Sequence, residues 1–307
     1  MRQCPEIKFF WKIFMILILT VLKVIFPIFF LGAIGFFWEK LNVDYPVEFV
    51  TKLTMNIALP CLIFTSLMNT NVQSEILNLL IISTLVSYFL ITFLCFLFVR
   101  LKKISIPTFL SPMIFGNTGN LGLPLAFFAF GNDGLSYAII IFAVMAIFSS
   151  TFGIWVVSGE KNLFKLLKEP IAWGAILGSL FLYFNIQTPI FLTRSLELTG
   201  QIAIPVMLIT LGVSVARLRP INLSQGFIIV GYRTLVCLLV AICISLILNV
   251  PSMAKAILIL QLSTPVSVTS YLISERFKRD PNEVASLVII STLLSILYIP
   301  AILGILI

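Results

Sequence analysis

The chain has 307 residues; 60% are hydrophobic, only 10% are charged, and the formal net charge is +8. Soluble domains carry roughly 25% charged residues, so water is excluded as the main solvent of this surface and hydrocarbon is expected instead. With no histidine in the chain, neither a usual zinc site nor imidazole catalysis is available.

In chain order, ten apolar segments are expected. Helix 1 covers about Leu17–Trp38, behind a short amphipathic lead-in. A signal peptide would have a shorter apolar core and a small-residue cleavage site, so this segment is read as a retained span. Helix 2 covers Tyr45–Leu67 and helix 3 Ile76–Val99. Helix 4 runs from Ile106 to Phe130 with an interruption near its middle, and helix 5 covers Gly134–Val157. The basic loop GEKNLFKLLKE follows. Helix 6 covers Pro170–Phe184, helix 7 Ile190–Ala216 and helix 8 Leu223–Leu248. Helix 9 covers Ser252–Ser274, again interrupted, and helix 10 covers Asn282–Leu306.

Loop charge orients this register, because Lys and Arg collect on the cytoplasmic side. The odd-numbered connections carry Lys40, then Arg100, Lys102 and Lys103. Further on they carry Lys161, Lys165 and Lys168, then Arg217 and Arg219, then Arg276, Lys278 and Arg279. The even-numbered connections carry little beyond Arg194. Odd connections are therefore expected in the cytoplasm and both termini outside, against which only the basic tail (Arg2, Lys8, Lys12) dissents. The basic excess is thus read as loop charge and not as a nucleic-acid surface. The five cysteines (Cys4, Cys61, Cys95, Cys237, Cys243) show no metal-ligand spacing and are read as small packing residues.

Two segments recur at about half the chain length. Asn56-Ile-Ala-Leu-Pro-Cys-Leu-Ile63 resembles Gln201-Ile-Ala-Ile-Pro-Val-Met-Leu208, 145 residues later. Phe130-Gly-Asn-Asp-Gly-Leu-Ser-Tyr-Ala138 and Phe277-Lys-Arg-Asp-Pro-Asn-Glu-Val-Ala285 open helices 5 and 10. With five spans per half, the second half is inverted in the membrane, the plan of many secondary transporters. The division expected is residues 1–158, a first five-helix repeat; 159–169, a basic cytoplasmic loop; and 170–307, the inverted second repeat.

The stretch Ser111-Pro-Met-Ile-Phe-Gly-Asn-Thr-Gly-Asn-Leu-Gly-Leu-Pro124 carries the most chemistry. Gly116, Gly119, Gly122, Asn117, Asn120 and Pro124 make a poor continuous helix. A surface loop would leave both flanks too short to cross a bilayer, so a broken helix is expected. Irregular backbone at membrane depth must face protein or a watery cavity. There Asn117, Thr118, Gly119 and Asn120 could bind a solute. The counterpart in helix 9 is Gln261-Leu-Ser-Thr-Pro-Val-Ser-Val-Thr-Ser270. Pro265 removes a backbone bond, and Ser263, Thr264 and Ser267 either replace it or line a site. Asn56 and Gln201 each precede a helix proline (Pro60, Pro205). Packing support is favoured for Gln201, whereas for Asn56 support and substrate contact stand level.

No carboxylate is placed deep in a span, which argues against a carboxylate proton relay; Glu75, Asp133, Glu197 and Glu275 come nearest. Lys23 and Lys255 are expected at interfaces. Arg233 lies well inside helix 8, where charge is costly. It either attracts an anionic substrate or lines a vestibule, or else it snorkels to an interface or pairs with a loop acid.

These residues resemble the auxin efflux carrier family, which includes the plant PIN exporters and bacterial permeases of the malate or malonate type. The likeness runs through Gly116–Ala126, Phe130–Ala138, Ile204–Gly212 and Asp280–Ser286. It implies an all-α membrane fold of ten helices in a 5+5 inverted repeat, like that of bile-acid sodium symporters. Discontinuous helices 4 and 9 would cross in a transport domain that moves against a scaffold. The family's crossover asparagine and proline map onto Asn120, Pro124 and Pro265. The long central loop of the plant proteins is missing, which fits a compact bacterial member. An asparagine that plant members place beside the second proline is replaced in Ser-Thr-Pro-Val-Ser. The function expected is a permease for a small organic anion, a dicarboxylate or auxin-like carboxylate, in the cytoplasmic membrane. A channel, a sensory membrane subunit or a membrane-embedded enzyme are the other readings. No cofactor or nucleic acid is implied. Oligomeric state stays open, a homodimer through scaffold helices being ordinary for such proteins.

Overall fold

The computed structural model describes residues 5–69, 74–159, 170–184 and 186–306, and all of its regular elements are helical. α1 (Pro5–Lys40) is followed by α2 (Val47–Leu53) and α3 (Leu59–Met68), joined by a π turn at Thr54–Ala58. Next come α4 (Ser74–Leu101) and α5 (Ile106–Ile114). A π turn at Thr118–Gly122 leads into α6 (Leu123–Phe148), and another at Ser149–Gly153 into α7 (Ile154–Ser158). Beyond lie α8 (Pro170–Tyr183), α9 (Ile190–Gln201), α10 (Ala203–Arg217), α11 (Leu223–Ile247), α12 (Ser252–Leu262), α13 (Val268–Arg276) and α14 (Pro281–Leu306). The basic loop expected between the two halves lies outside the described residues, except for Gly159.

The polarity of these helices is inside out. Large apolar side chains such as Phe89, Phe191, Leu297 and Ile305 face outward, whereas Ser83, Thr84 and Ser87 are fully buried. The three hydroxyls return a hydrogen bond to the carbonyl one turn earlier, at 2.7 Å each, which satisfies them without water. Among the described residues, seven helical stretches are long and apolar enough to cross a membrane: Leu19–Lys40, Val47–Met68, Glu75–Leu101, Thr118–Ser158, Ile190–Arg217, Leu223–Ile247 and Pro281–Leu306. Thr118–Ser158 has 41 residues, about 60 Å at the rise of an α-helix, or twice the hydrocarbon thickness. Gly131 divides it, with φ +66° and ψ −155°, a conformation open to glycine alone.

The helices pack in two groups. α1 lies along α10, and α3 lies against α8 and α9. The second group holds α4 to α7 and α11 to α14, with α12 against α6, α4 against α5 and α11, and α14 against α11 and α13. Lipid tails are as apolar as leucine, so close packing replaces the hydrophobic effect between such helices. In the α1–α10 seam, a methyl on Gly212 would stand 1.9 Å from the Gly32 carbonyl oxygen, and one on Gly35 would stand 1.9 Å from that of Ile209. The two backbones touch there because those positions are bare. The groups meet where α6 packs on α1 and α3, and where the Thr118–Gly122 turn packs on α10.

The repeated Ile-Ala-x-Pro segments mark irregular turns in both places. Pro60 follows the π turn at Thr54–Ala58, and Pro205 follows the break at Ile202 between α9 and α10. A proline has no backbone N–H to donate and crowds the carbonyl four residues back, which dislocates the ladder just before it.

Candidate functional site

The two interrupted helices meet. α5 stops at Ile114, and Phe115 turns extended, with φ −93° and ψ 116°. α12 stops at Leu262 and α13 starts at Val268. Between these ends, Gly116 and Val266 form an antiparallel bridge. Asn117 N–H donates to the Pro265 carbonyl at 2.7 Å, and Ser267 N–H donates to the Phe115 carbonyl at 3.3 Å. A Cβ on Gly116 would lie 2.4 Å from Thr264 Oγ1 and 3.0 Å from Arg233 Nη2, so only glycine lets the two main chains come this close.

The break in helix 4 is shorter than its glycine content suggests. Only residues 115–117 leave helical geometry, and Thr118–Gly122 is a π turn. Gly119 and Gly122 provide room instead of unwinding. A Cβ on Gly122 would stand 2.2 Å from Gln261 Oε1, and one on Gly119 would stand 2.9 Å from the Phe142 ring.

Several carbonyls at the end of α12 are met by protein donors. Thr264 Oγ1 donates to the Gln261 carbonyl at 2.7 Å, and Tyr298 Oη donates to that of Ser263 at 2.9 Å. Arg233 Nη1 donates to the Thr264 carbonyl at 2.9 Å. Val266 N–H, freed by the break, donates to Ser291 Oγ at 2.9 Å. Arg233 is 1% exposed. It therefore neither snorkels nor reaches a loop acid: burial places it against the crossover, where a half-helix C-terminus offers partial negative charge.

Polar atoms remain unused at this depth. Among the described residues, Asn117 Nδ2, Thr118 Oγ1, Ser263 Oγ, both amide atoms of Gln261, and Arg233 Nε and Nη2 are buried without a hydrogen-bond partner. Each such atom costs about 1–3 kcal/mol if it stays unmet. An assembly that keeps several of them together is fit to receive a polar guest or water.

Of the residues expected at a binding site, the fold gathers Asn117, Thr118, Ser263, Thr264, Pro265 and Arg233 in the buried crossover; Gly119, against Phe142, and Pro124, in the first turn of α6, are buried farther along the chain. Asn120 and Ser267 lie half-buried at the edge of the crossover. Asn56 is not among them: it is exposed on the Thr54–Ala58 turn, which packs chiefly on α8, α9 and α10. Lys23 is exposed and Lys255 half-buried. Cys95 and Cys237 are buried, Cys61 is half-buried and Cys243 exposed, all four as free thiols.

Sequence reasoning missed a cavity of about 660 Å³ where the two helix groups meet. Leu31, Leu62, Thr65, Asn69, Glu197, Gln201, Ile204 and Pro205 form one wall, and Phe127, Phe128, Asn132, Asp133 and Ser136 form the other. Gln201 thus faces open space and is not packing support. Among the described residues no lysine or arginine lines the cavity, while Asp133 and Glu197 do. Asn69 Nδ2 holds Glu197 Oε1 at 3.0 Å. In the sequence both acids stand near span ends, where a loop acid and a cavity acid look alike.

An all-helical membrane protein with a sheltered crossing of broken helices has the build of a membrane transporter. The profile of the family described as membrane transport protein matches residues 20–162 and 154–303, and the chain belongs to this family, the auxin efflux carrier type that its glycine–asparagine motif resembles. An uncharacterized transporter of Methanocaldococcus jannaschii is similar at 25% identity over 303 residues, covering 91% of this chain and 96% of that protein. An uncharacterized transporter of Methanothermobacter thermautotrophicus is also 25% identical, over 297 residues that cover 92% of this chain and 95% of its own.

Proposed function

We propose that the protein is a secondary carrier for a small organic anion, working by alternating access in the cytoplasmic membrane. The observation that carries this reading is the main-chain bridge between Gly116 and Val266. It holds two interrupted helices, with unused polar atoms, at buried depth, and a cavity opens elsewhere between the two helix groups.

In this reading there are ten spans. Gly131 splits Thr118–Ser158 between the fourth and fifth. The short helices α5, α12 and α13 are halves of broken spans, and α8 is a short sixth. Each half of the chain then gives its first two spans to the group containing α1 and α10, and its last three to the other group. That regularity supports an inverted repeat with a scaffold and a moving transport domain. The cavity lies on the side of the even-numbered connections, the outer side if basic loops face the cytoplasm, so this is an outward-facing conformation with both termini outside. A homodimer would join through scaffold helices.

The anion's carboxylate would meet the N-terminal ends of the Thr118–Gly122 turn and α13, where unpaired N–H groups and the helix dipole favour negative charge. Asp133 and Glu197 in the cavity wall disfavour a dianion. Leu31, Leu62, Phe127 and Phe128 favour an apolar body. The substrate class proposed is therefore an amphipathic monocarboxylate, in preference to a dicarboxylate.

The test is counterflow in proteoliposomes with a panel of mono- and dicarboxylates, comparing wild type with Asn120→Ala. Saturable exchange of a monocarboxylate that Asn120→Ala reduces tenfold or more supports the reading. Equal exchange by both proteins removes the site assignment, and linear, non-saturating flux would point to a channel.

A further inference from the structure

We propose that Arg233 is a built-in cation standing where a coupling metal ion would otherwise bind, so that neither the fold nor the transport cycle uses Na⁺. This rests on the carrier reading for its transport half only.

The carbonyl end of a broken helix is a natural seat for an alkali cation, since carbonyl and hydroxyl oxygens gather there with partial negative charge. In this chain four of the main-chain carbonyls there meet protein donors, while Ser263 Oγ and Gln261 Oε1 beside them have none. The carbonyls of Gln261, Ser263, Thr264 and Pro265 accept from Thr264 Oγ1, Tyr298 Oη, Arg233 Nη1 and Asn117 N–H respectively. One of the four donors is charged, and it is the most bulky of the fully buried side chains. Arg233 thus brings a positive charge of its own to this seat.

Among the described residues no carboxylate pairs with it. The ion pairs among the described residues are Lys52–Glu48 and Arg217–Glu39. A buried charge without a counter-ion is tolerated only when fixed dipoles compensate it, and here the compensating dipoles are those of the α12 terminus. A second cation within a few ångströms would meet repulsion weakly screened by water. Gly116 completes the arrangement: a side chain there would press on Arg233 Nη2 at 3.0 Å and on Thr264.

The experiment is thermal unfolding of the purified full-length protein in detergent, in NaCl against choline chloride at equal ionic strength. A ligand that binds the folded form raises Tm, so the expected difference for wild type is below about 1 °C. Arg233→Ala should melt several degrees lower and regain part of that loss in millimolar guanidinium, which refills the vacated seat. Arg233→Lys, which keeps the charge but loses the fork, should fall between the two and gives a reading if the alanine variant does not fold. A saturable rise of several degrees with Na⁺ in wild type overturns the proposal. So does an Arg233→Met variant as stable as wild type, since the charge would then be dispensable. Counterflow in Na⁺-free buffer is the second arm and should equal that in NaCl. Should no compound on the panel be carried, the carrier reading fails while the melting curves still decide the role of Arg233.

Discussion

Gly32, Gly35 and Gly212 lie in one helix seam, yet an added methyl should act with opposite sign at different members of the set. Helix propensity alone makes each Gly→Ala change favourable by about 0.5–1 kcal/mol. At Gly212 the new Cβ would stand 1.9 Å from the Gly32 carbonyl oxygen and 2.8 Å from Phe36 N. Both are backbone atoms and cannot swing aside. α1 and α10 would have to part by about 1 Å to relieve the 1.9 Å contact, along a seam held only by close packing. Overpacking of this kind costs about 1–3 kcal/mol, which leaves a net loss of about 1–2 kcal/mol after the gain in propensity. Gly35→Ala meets the Ile209 carbonyl at the same 1.9 Å and should behave alike. Gly32→Ala and Gly231→Ala meet nothing within 4 Å and should be neutral or slightly stabilising. The assay is thermal unfolding in detergent followed by intrinsic tryptophan fluorescence. If Gly212→Ala and Gly35→Ala melt with or above Gly231→Ala, the backbone contact between α1 and α10 does not exist as described.

Gly116→Ala should lower Tm and abolish counterflow, because its Cβ would lie 2.4 Å from Thr264 Oγ1 and would push the bridge apart; wild-type exchange by this variant would contradict the geometry. Replacing both cavity acids, Asp133→Asn with Glu197→Gln, should raise dicarboxylate exchange relative to monocarboxylate exchange by about tenfold, on the scale of one screened charge pair. An unchanged ratio would show that the wall charge does not select. In an Asn132→Cys variant the new thiol should react within minutes with a membrane-impermeant maleimide added outside, and the reaction should slow when a carried substrate is present. Cys95 and Cys237, both buried, should stay unlabelled until the protein is denatured.

The crossing is legible in the sequence because lipid enforces a strict rule. Backbone at that depth must be paired, so glycines, asparagines and a proline inside an apolar run announce an exception, as Gly116–Pro124 and Ser263–Ser267 do. What stayed hidden depends on contacts between distant segments. Arg233 could be read as costly, but its acceptor, the Thr264 carbonyl, lies 31 residues away and carries no side-chain signature. The division of labour among the glycines was equally hidden. Gly122 looks like a helix breaker until Gln261 is found against it. The cavity wall escaped notice because Asp133 and Glu197 come from opposite helix groups, and no local pattern links them. The sheltered, exposed and half-exposed positions of Asn117, Asn56 and Asn120 are likewise products of packing.

The joint at Gly116 and Val266 is tied by amide and carbonyl groups that every residue but proline possesses. Its persistence asks little of the neighbouring side chains beyond one missing Cβ. Drift in the flanking positions can therefore retune what fits beside the crossing while leaving the bridge untouched. A chain of this design could change its cargo by small steps, each intermediate still assembling the same crossing.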